Sequence, residues 1–448
     1  MQVSIETTSG LERRMTVRLP AERFETEVAS RLQDAARRVK LPGFRPGKVP
    51  LKEVKRRFGP GVREEVAGEL MQATVFEALA QESLRPAGRP RLEPLDLEVP
   101  GDFTYTAVFE VFPEFELADA ARIEISRPVA EVTEADIDQM IERLREQRRS
   151  FEVRDGRAAE TGDEVTLDFE GFIGDEAFQG GQAEDAKIVL GSGRMIPGFE
   201  EGLAGLHAGD NSSLEVTFPE DYGNEALRGK QARFEVTVKA VAEPVTPELD
   251  DAFFKEFGVE EGGLDAFRSE VRGNMERELR KAIRTRLKNQ VMDGLAAIHE
   301  LMLPESMVGE EIHRMQHEMV QQFGGKGMDP HSLPAELFRD NAERRVKLGL
   351  VLSRIVEVEK VEADPERVEA ILDDVAAPYG EPEQVKSWYH ANAEQMQQIR
   401  SAAIEDQVVD LILERATVTD EPGSYDSVLA AAQGRGAAAD GAEEADPA

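Results

Sequence analysis

Residues 43–50 read Gly-Phe-Arg-Pro-Gly-Lys-Val-Pro, and they separate two segments of helical character, Ala21–Val39 and Leu51–Phe58. Two glycines and two prolines within eight residues exclude a continuous helix, so we predict a loop. The loop carries one aromatic residue, Phe44, among many cations, and Glu53 is the one acidic residue between positions 37 and 57. Such a tip is suited to docking on a polyanion with an apolar notch. Alternatively, Phe44 folds back as a plug in a tight helical hairpin, and composition leaves both interpretations open.

The segments that flank these helices alternate between apolar and polar residues, as strands do. The alternation covers residues 2–7 and 14–19, and it returns over Phe103–Val111. The intervening stretch Pro86–Pro100 is rich in proline and is predicted to be turn-like. We therefore predict that residues 1–112 form one α+β domain, with an antiparallel sheet and helices that continue to Ala80.

The 448 residues are too many for one ordinary core and indicate two to four domains. Charge is distributed unevenly along them. The whole chain has a formal net charge of −35, whereas residues 1–112 carry +1 and the remainder carries −36. One end of the molecule can therefore approach a nucleic acid that the rest repels. The alternative is that the acidic surface only keeps a large protein in solution.

The sequence contains no cysteine, which excludes disulfides and thiol chemistry. Residues 1–20 lack the apolar core of a secretory signal. No apolar run approaches the roughly 20 residues that a membrane helix needs. We therefore expect a cytoplasmic protein without a membrane partner.

The rest of the chain consists of segments that differ in residue composition. Residues 113–149 are predicted to be a linker with a helix that begins at Thr133, where Asp136 completes a capping box. Residues 150–245 are glycine-rich and β-rich, with runs at Val165–Phe172, Lys187–Leu190, Ser212–Phe218 and Ala232–Val241 and a short helix at Pro197–Leu203. Residues 246–419 are predicted to be helical, including one helix over Pro382–Ala416, and residues 420–448 are predicted to be a disordered acidic tail.

The β-rich segment contains the most specific motif of the chain. It reads Leu190-Gly191-Ser192-Gly193-Arg194-Met195-Ile196-Pro197-Gly198-Phe199-Glu200, after Asp168-Phe169-Glu170-Gly171 and before Phe218-Pro219-Glu220-Asp221-Tyr222-Gly223. These residues resemble the FK506-binding class of peptidyl-prolyl isomerases over about residues 150–245. The resemblance implies a half-barrel with a short helix and a pocket formed by Phe169, Phe178, Met195, Ile196, Phe199, Tyr222 and Phe234.

Such a pocket fits the chemistry of prolyl isomerisation. The barrier of roughly 18–20 kcal/mol arises from amide resonance, so neither a nucleophile nor a metal nor another cofactor is required. An apolar pocket binds the twisted amide better than the planar, charge-separated one. Two positions depart from the family pattern, because Gln179 stands where many members have an acidic residue and Phe199 stands where many have Trp. The alternative is that these aromatic residues are ordinary barrel core.

With an isomerase segment in the middle, nearly the whole chain resembles the bacterial trigger factor family. The family's tip motif is matched by Gly43, Phe44, Arg45, Gly47 and Pro50, and the loop also contains Lys48, whereas Pro46 stands where Lys is frequent. The resemblance implies docking beside the exit tunnel of the large ribosomal subunit, on protein and adjoining rRNA. Because one cation is missing, we expect weaker or less salt-sensitive docking, which the cations at 52–57 offset in part.

The helical region then corresponds to the part that holds nascent and unfolded polypeptides. Scattered methionines suit a surface that accepts many sequences, although an ordinary helical core explains each of them as well. They are Met292, Met302, Met307, Met315, Met319, Met328 and Met396. We also expect a homodimer away from the ribosome. Neither the His313/His317 pair nor the glycines at 324–327 match a metal or nucleotide motif, so no cofactor is expected.

The predicted fold is therefore multidomain α+β, with a ribosome-docking α+β domain, an FKBP-like β domain and a large all-α chaperone domain. The predicted function is an ATP-independent, ribosome-associated chaperone that also isomerises X-Pro bonds. Two alternatives remain at this point: a free-standing prolyl isomerase whose helical part dimerises, and a scaffold with an inactive isomerase fold.

Overall fold

The computed structural model describes residues 1–39, 44, 49–94, 101–174, 176–322 and 328–432. Within these ranges the chain forms eleven β-strands and twelve α-helices. It divides into two compact units, each built from two stretches of sequence: 1–127 with 284–421, and 128–283 with the residues from 422 onward. The division therefore runs through the helical segment predicted at 246–419, which contributes to both units.

The first unit begins with a four-stranded antiparallel sheet in the order β1-β2-β4-β3. Its strands are β1 (Gln2–Ser9), β2 (Glu12–Leu19), β3 (Arg91–Pro94) and β4 (Phe103–Glu110). The three predicted strands are confirmed, whereas β3 lies within the stretch predicted to be turn-like. Because β3 pairs with β4 at the edge of the sheet, it tolerates a proline that a central strand would reject.

Two helices, α1 (Ala21–Arg38) and α2 (Leu51–Gln81), share one hydrophobic core with this sheet. Phe24 of α1 stacks on Phe103 of β4 with ring centroids 4.8 Å apart. The hydroxyl groups of Thr74 in α2 and Tyr105 in β4 are hydrogen-bonded at 2.8 Å. The helices before and after residues 39–50 are therefore both packed on the sheet.

The second unit contains a five-stranded antiparallel sheet in which β6, β10, β7 and β8 follow one another and β9 pairs with β10. The strands are β6 (Ser150–Val153), β7 (Glu164–Ile173), β8 (Glu176–Val189), β9 (Asn211–Thr217) and β10 (Gln231–Val245), with the short helix α4 (Phe199–Leu203) before β9. The four predicted β-runs and the short helix are confirmed. The chain enters this sheet at Ser150 and leaves it at Val245, and these two residues are paired with each other.

The remaining helices follow the predicted pattern with one exception. They are α3 (Glu134–Gln147), α5 (Asp251–Glu256), α6 (Gly263–Ile298), α7 (Glu305–Gln322), α8 (Glu336–Glu359), α9 (Pro365–Ala376), α10 (Pro382–Ala391) and α11 (Ala393–Arg415). The capping box of Thr133 and Asp136 at the start of α3 is confirmed. The prediction of one helix over Pro382–Ala416 is wrong, because Asn392 is extended and caps a new helix, a role that asparagine favours.

The prediction of a disordered tail over 420–448 is wrong for residues 420–432. Strand β11 (Thr417–Pro422) pairs with β5 (Glu124–Val129), and α12 (Tyr425–Ala432) follows. Tyr425 and Val428 are buried in a core cluster of the second unit. Two apolar anchors order this segment, although its average composition is that of a disordered chain. Residues 433–448 lie outside the described part.

We expect Tyr425→Phe to weaken the attachment of α12. The Tyr425 hydroxyl donates a hydrogen bond of 2.8 Å to the carboxylate of Glu278. Burial and this neighbouring carboxylate raise the pKa of Tyr425. Loss of one such bond should lower the free energy of local opening of α12 by about 1–2 kcal/mol, as measured by hydrogen exchange. Tyr379→Phe at an exposed position is the matched control. Unchanged exchange in Tyr425→Phe would show that the bond adds nothing to the attachment.

Candidate active site and interaction surfaces

Aromatic side chains form a continuous cluster in the β-rich part of the second unit. Phe169 of β7, Phe199 of α4 and Phe234 of β10 contact one another edge-to-face, with ring centroids 5.2 to 5.9 Å apart. Phe178 of β8 extends the cluster, because its ring lies 5.8 Å from that of Phe234. The structure therefore brings together aromatic residues that are separated by up to 65 positions in the sequence.

The cluster has a buried floor and a partly exposed rim. Phe199 and Phe234 are buried, at 0% and 4% exposure. The other predicted pocket residues are half-buried and pack against the same core: Phe169, Phe178, Met195, Ile196 and Tyr222. All seven predicted residues therefore belong to one apolar cluster, and five of them are partly exposed to solvent. The side chain of Gln179 lies outside the described part.

Phe218 was not among the predicted site residues, although it belongs to the cluster. Its ring lies 5.8 Å from Phe178 and 4.8 Å from Tyr222, so it connects these two parts of the rim. The signal was present in the sequence, since Phe218 directly precedes Pro219 in the same run as Tyr222. Phe218 is itself buried at 3% exposure.

Glycines make room for the rings. A Cβ atom at Gly171 would lie 2.6 Å from the Phe178 ring and 2.7 Å from the Phe234 ring. A Cβ atom at Gly181 would lie 2.6 Å from the Phe178 ring. These separations are too short for carbon atoms, so any side chain at either position displaces Phe178. The glycines beside the aromatic residues are therefore required by the packing of the site.

The loop at 191–195, which leads to Met195 and Ile196, is organised by one carboxylate. Glu200 of α4 accepts hydrogen bonds from five donors of this loop: Gly191 N, Ser192 Oγ, Gly193 N, Arg194 N and Met195 N. Burial raises the pKa of Glu200, but the hydrogen bonds from Met195, Gly193, Ser192 and Gly191 outweigh burial, and the pKa lies below its ordinary value. Glu200 therefore stays ionised at neutral pH.

The predicted docking tip is described at Phe44, Val49 and Pro50. The Phe44 side chain is 39% exposed, which does not fit a fully buried plug. Pro50 precedes α2, and Val49 is buried in the core of the sheet and helices. The remaining predicted residues of the tip lie outside the described part: Gly43, Arg45, Pro46, Gly47 and Lys48.

Cations flank the tip on both helices. The side chains that the structure exposes are Arg37, Arg38, Lys52, Lys55, Arg56 and Arg57. Arg37 pairs with Asp34 at 3.6 Å and Arg56 pairs with Glu53 at 2.6 Å. The other four make no ion pair with a described residue, so their charge is available to an external anion.

The helical part of the first unit exposes large apolar side chains. Leu337 at the start of α8 is 73% exposed, and Trp388 of α10 is 55% exposed. Three of the seven methionines of the helical region are also exposed, namely Met302, Met319 and Met328, whereas Met292 and Met396 are core residues. A groove of about 960 Å³ in the same unit is lined in part by Phe112, Phe115, Met307 and Leu350. Apolar surface is therefore distributed over several elements of this unit.

The weaker sequence signals do not form sites in the described part of the chain. The rings of His313 and His317 lie 5.0 and 6.1 Å from the ring of His331. No group of three or more His, Cys, Asp or Glu among the described residues is arranged to hold a metal ion. Glycines 324, 325 and 327 are outside these residues. Among the described helices, none combines the length and apolar character needed to cross a bilayer.

Comparison with protein families divides the chain into three matched regions. Residues 1–144 match the family described as bacterial trigger factor protein, and residues 263–414 match the C-terminus of the same family. Residues 155–239, which contain the aromatic cluster, match FKBP-type peptidyl-prolyl cis-trans isomerase.

Full-length relatives agree with this division. The chain is 52% identical over 433 residues to the trigger factor of Stutzerimonas stutzeri, covering 97% of this chain and 99% of the relative. It is 50% identical over 429 residues to that of Pseudomonas syringae pv. syringae, covering 96% and 98%. A solved trigger factor chaperone, from work on promiscuous substrate recognition in folding and assembly, has the same fold at a TM-score of 0.52 and 20% identity, covering 92% of this chain and 99% of that structure. The chain therefore belongs to the trigger factor family, whose members are ribosome-associated chaperones with an FKBP-type peptidyl-prolyl isomerase domain.

Proposed function

We propose that this protein binds beside the exit tunnel of the large ribosomal subunit, holds nascent chains without ATP, and isomerises X-Pro bonds in the aromatic depression of its second unit. We place this activity in the cytoplasm. The observation that carries the proposal is the cluster in which two buried aromatic rings, Phe199 and Phe234, pack with five half-buried apolar side chains that form a partly exposed rim. A plain barrel core needs no such rim.

In this proposal the depression is the isomerase site. Phe169, Phe199 and Phe234 surround the prolyl ring with apolar surface, while Met195 and Ile196 bound it on the side of the loop. Removal of the X-Pro amide from water disfavours its charge-separated planar form, which lowers the barrier to rotation. Tyr222 lies on the rim, and we assign its hydroxyl to a hydrogen bond with a substrate carbonyl. The backbone carbonyl of Tyr222 accepts a hydrogen bond of 2.6 Å from Arg228, which holds the residue in place.

The tip at 43–50 is the proposed ribosome contact. An exposed aromatic side chain between exposed cations matches a surface in which an apolar notch of a protein lies beside rRNA phosphates. Phe44 supplies the apolar anchor, and Arg45 and Lys48 add charge within the loop. The cations of α1 and α2 extend the same contact. The net charge of −36 on residues 113–448 keeps the remainder of the molecule away from the rRNA.

The exposed apolar residues of the helical part are the proposed holding surface. Leu337 and Trp388 lie on different helices, so an unfolded segment can bind at several small apolar patches at once. Separate weak contacts suit a chaperone that must release its substrates without ATP. Away from the ribosome, we propose that the same exposed surface takes part in a homodimer.

Excision of the isomerase region tests whether holding is a separate activity. Because Ser150 pairs directly with Val245, residues 151–244 can be removed and the ends joined by two glycines without moving the flanking helices. We expect the shortened protein to retain most of its suppression of aggregation of a denatured test protein, and to lose prolyl-peptide turnover.

Two substitutions in the full chain test the reverse case, in which holding is reduced and prolyl-peptide turnover is kept. Leu337→Ser with Trp388→Ser should reduce suppression of aggregation while leaving turnover unchanged, because both residues lie outside the isomerase region. If the excised protein fails to suppress aggregation although its helices remain folded, holding does not reside in the helical part. The alternative of a free-standing isomerase with a dimerising helical region would then be favoured.

A further inference from the structure

Glu200 is a buried charged residue that the aromatic pocket alone does not explain. Its side chain is 8% exposed, and it adjoins the pocket floor because it follows Phe199 in the same turn of α4. A carboxylate in this position costs free energy unless hydrogen bonds replace its hydration. Four backbone amides and one hydroxyl of residues 191–195 do so, at 2.8 to 3.1 Å.

The two carboxylate oxygens divide these donors between them. One oxygen, Oε2, accepts from the amides of Gly191 and Gly193. The other, Oε1, accepts from the Ser192 hydroxyl and from the amides of Arg194 and Met195. Five donors saturate the roughly four lone-pair sites of a carboxylate. Substitution of either oxygen by an amide nitrogen therefore leaves at least two backbone amides facing another donor.

The loop depends on these bonds for its shape. It contains no helix or strand, and Gly191 and Gly193 adopt φ angles of +83° and +65°, which turn successive amides toward one point. The loop runs directly into Met195 and Ile196, which are half-buried and pack against the pocket core. Whatever fixes the loop therefore also fixes one wall of the pocket.

We propose that Glu200 is a positioning residue for the isomerase reaction. Its carboxylate holds the loop at 191–195, and thereby Met195 and Ile196, at a set distance from Phe199. Adjacent residues of α4 thus have two roles, because Phe199 forms the floor of the pocket and Glu200 holds the loop that forms its wall. The inference rests on the proposed location of the isomerase site.

Alternative roles account for less of the geometry. A helix cap is not needed from Glu200, because the neighbouring Glu201 already accepts a hydrogen bond from the Gly198 amide at 2.9 Å. An ion pair does not account for it either, because the Glu200 carboxylate accepts its hydrogen bonds from backbone amides and one hydroxyl. All five donors belong to the segment that ends in the pocket wall, which favours a positioning role.

The test compares Glu200→Gln with Glu215→Gln in the full-length protein. Glu215 lies on β9, which packs against α4, and its side chain is exposed. Turnover is measured with a proline-containing peptide by NMR exchange spectroscopy, and amide exchange is measured by mass spectrometry.

For Glu200→Gln we expect kcat/KM to fall about tenfold, mainly through kcat, because the displaced wall contacts the twisted amide. Residues 191–195 should lose amide protection, whereas β7 and β10 keep it. Glu215→Gln should match the wild type in both measurements.

Each outcome decides between positioning and stability. Unprotected loop amides with unchanged turnover would overturn the proposal, because the loop would then be free without consequence for the pocket. Reduced protection throughout the sheet would assign Glu200 a role in stability and would also overturn it. If turnover were also unaffected by Phe169→Leu, the proposed site itself would be wrong, which a failure of Glu200→Gln alone would not show.

Discussion

Phe199→Ala should reduce kcat/KM for a prolyl peptide at least about a hundredfold and destabilise the β-rich part of the second unit by about 3–5 kcal/mol. Phe199 is fully buried and contacts Phe169 and Phe234 at 5.6 and 5.2 Å between ring centroids. Its removal leaves a cavity below the depression, so the floor no longer supports the prolyl ring. Turnover by NMR exchange spectroscopy and denaturant unfolding measure the two effects.

Two further variants separate the loss of the pocket from the loss of folding. Phe169→Leu keeps an apolar side chain at the half-buried rim, so it should destabilise the protein less than Phe199→Ala and should still impair turnover. Phe267→Ala removes a ring that is 1% exposed in a different core cluster, where it contacts Phe253 and Phe254. It should destabilise the protein to a similar extent while each folded molecule keeps full turnover. Full turnover in the folded fraction of Phe199→Ala would contradict the assignment of the pocket. Absence of turnover in the wild-type protein would favour an inactive isomerase fold.

The candidate pocket residues were assigned through the resemblance to FK506-binding isomerases, which rests on a motif of side chains. Phe169 and Phe234 alternate with polar neighbours on strands, and Met195 to Glu200 form a motif that places a loop before a helix turn. The role of Glu200 could not be predicted in the same way. Its partners are mostly backbone N–H groups, which every residue except proline possesses, so the sequence of side chains does not indicate them.

The errors in the fold have a related origin. Thr133 and Asp136 predicted a helix start correctly, because a capping box is a local interaction. Strand β3 and helix α12 depend on partners outside their own segments, namely the following strand β4 for the first and the core around Phe267 for the second. Local composition assigned both to irregular structure, since one is proline-rich and the other is rich in small residues. Tertiary contacts outweighed these preferences.

Substitution of Phe44-Arg45-Pro46 by three alanines should weaken binding to ribosomes at least about thirtyfold, because a buried aromatic anchor at an interface contributes about 2 kcal/mol or more. Phe44 is exposed in the free protein and is therefore available to a partner. Co-sedimentation with 70S ribosomes measures the loss. Phe76→Ala is the matched control, since Phe76 lies on α2 in the same domain and is 64% exposed. Prolyl-peptide turnover should remain unchanged in both variants.

Salt dependence separates the contribution of charge from that of Phe44. Phe44→Ala should weaken binding by a similar factor at all salt concentrations, because it removes an apolar contact. Pro46→Lys restores a cation that is frequent in the family, so it should tighten binding at low salt and make the dependence of log K on log[salt] steeper by up to about one unit. Wild-type binding by the Phe44-Arg45-Pro46 variant would refute the tip as the docking site. If Pro46→Lys left the dependence of log K on log[salt] unchanged, position 46 would not reach the rRNA phosphates. The loop would then contact protein alone.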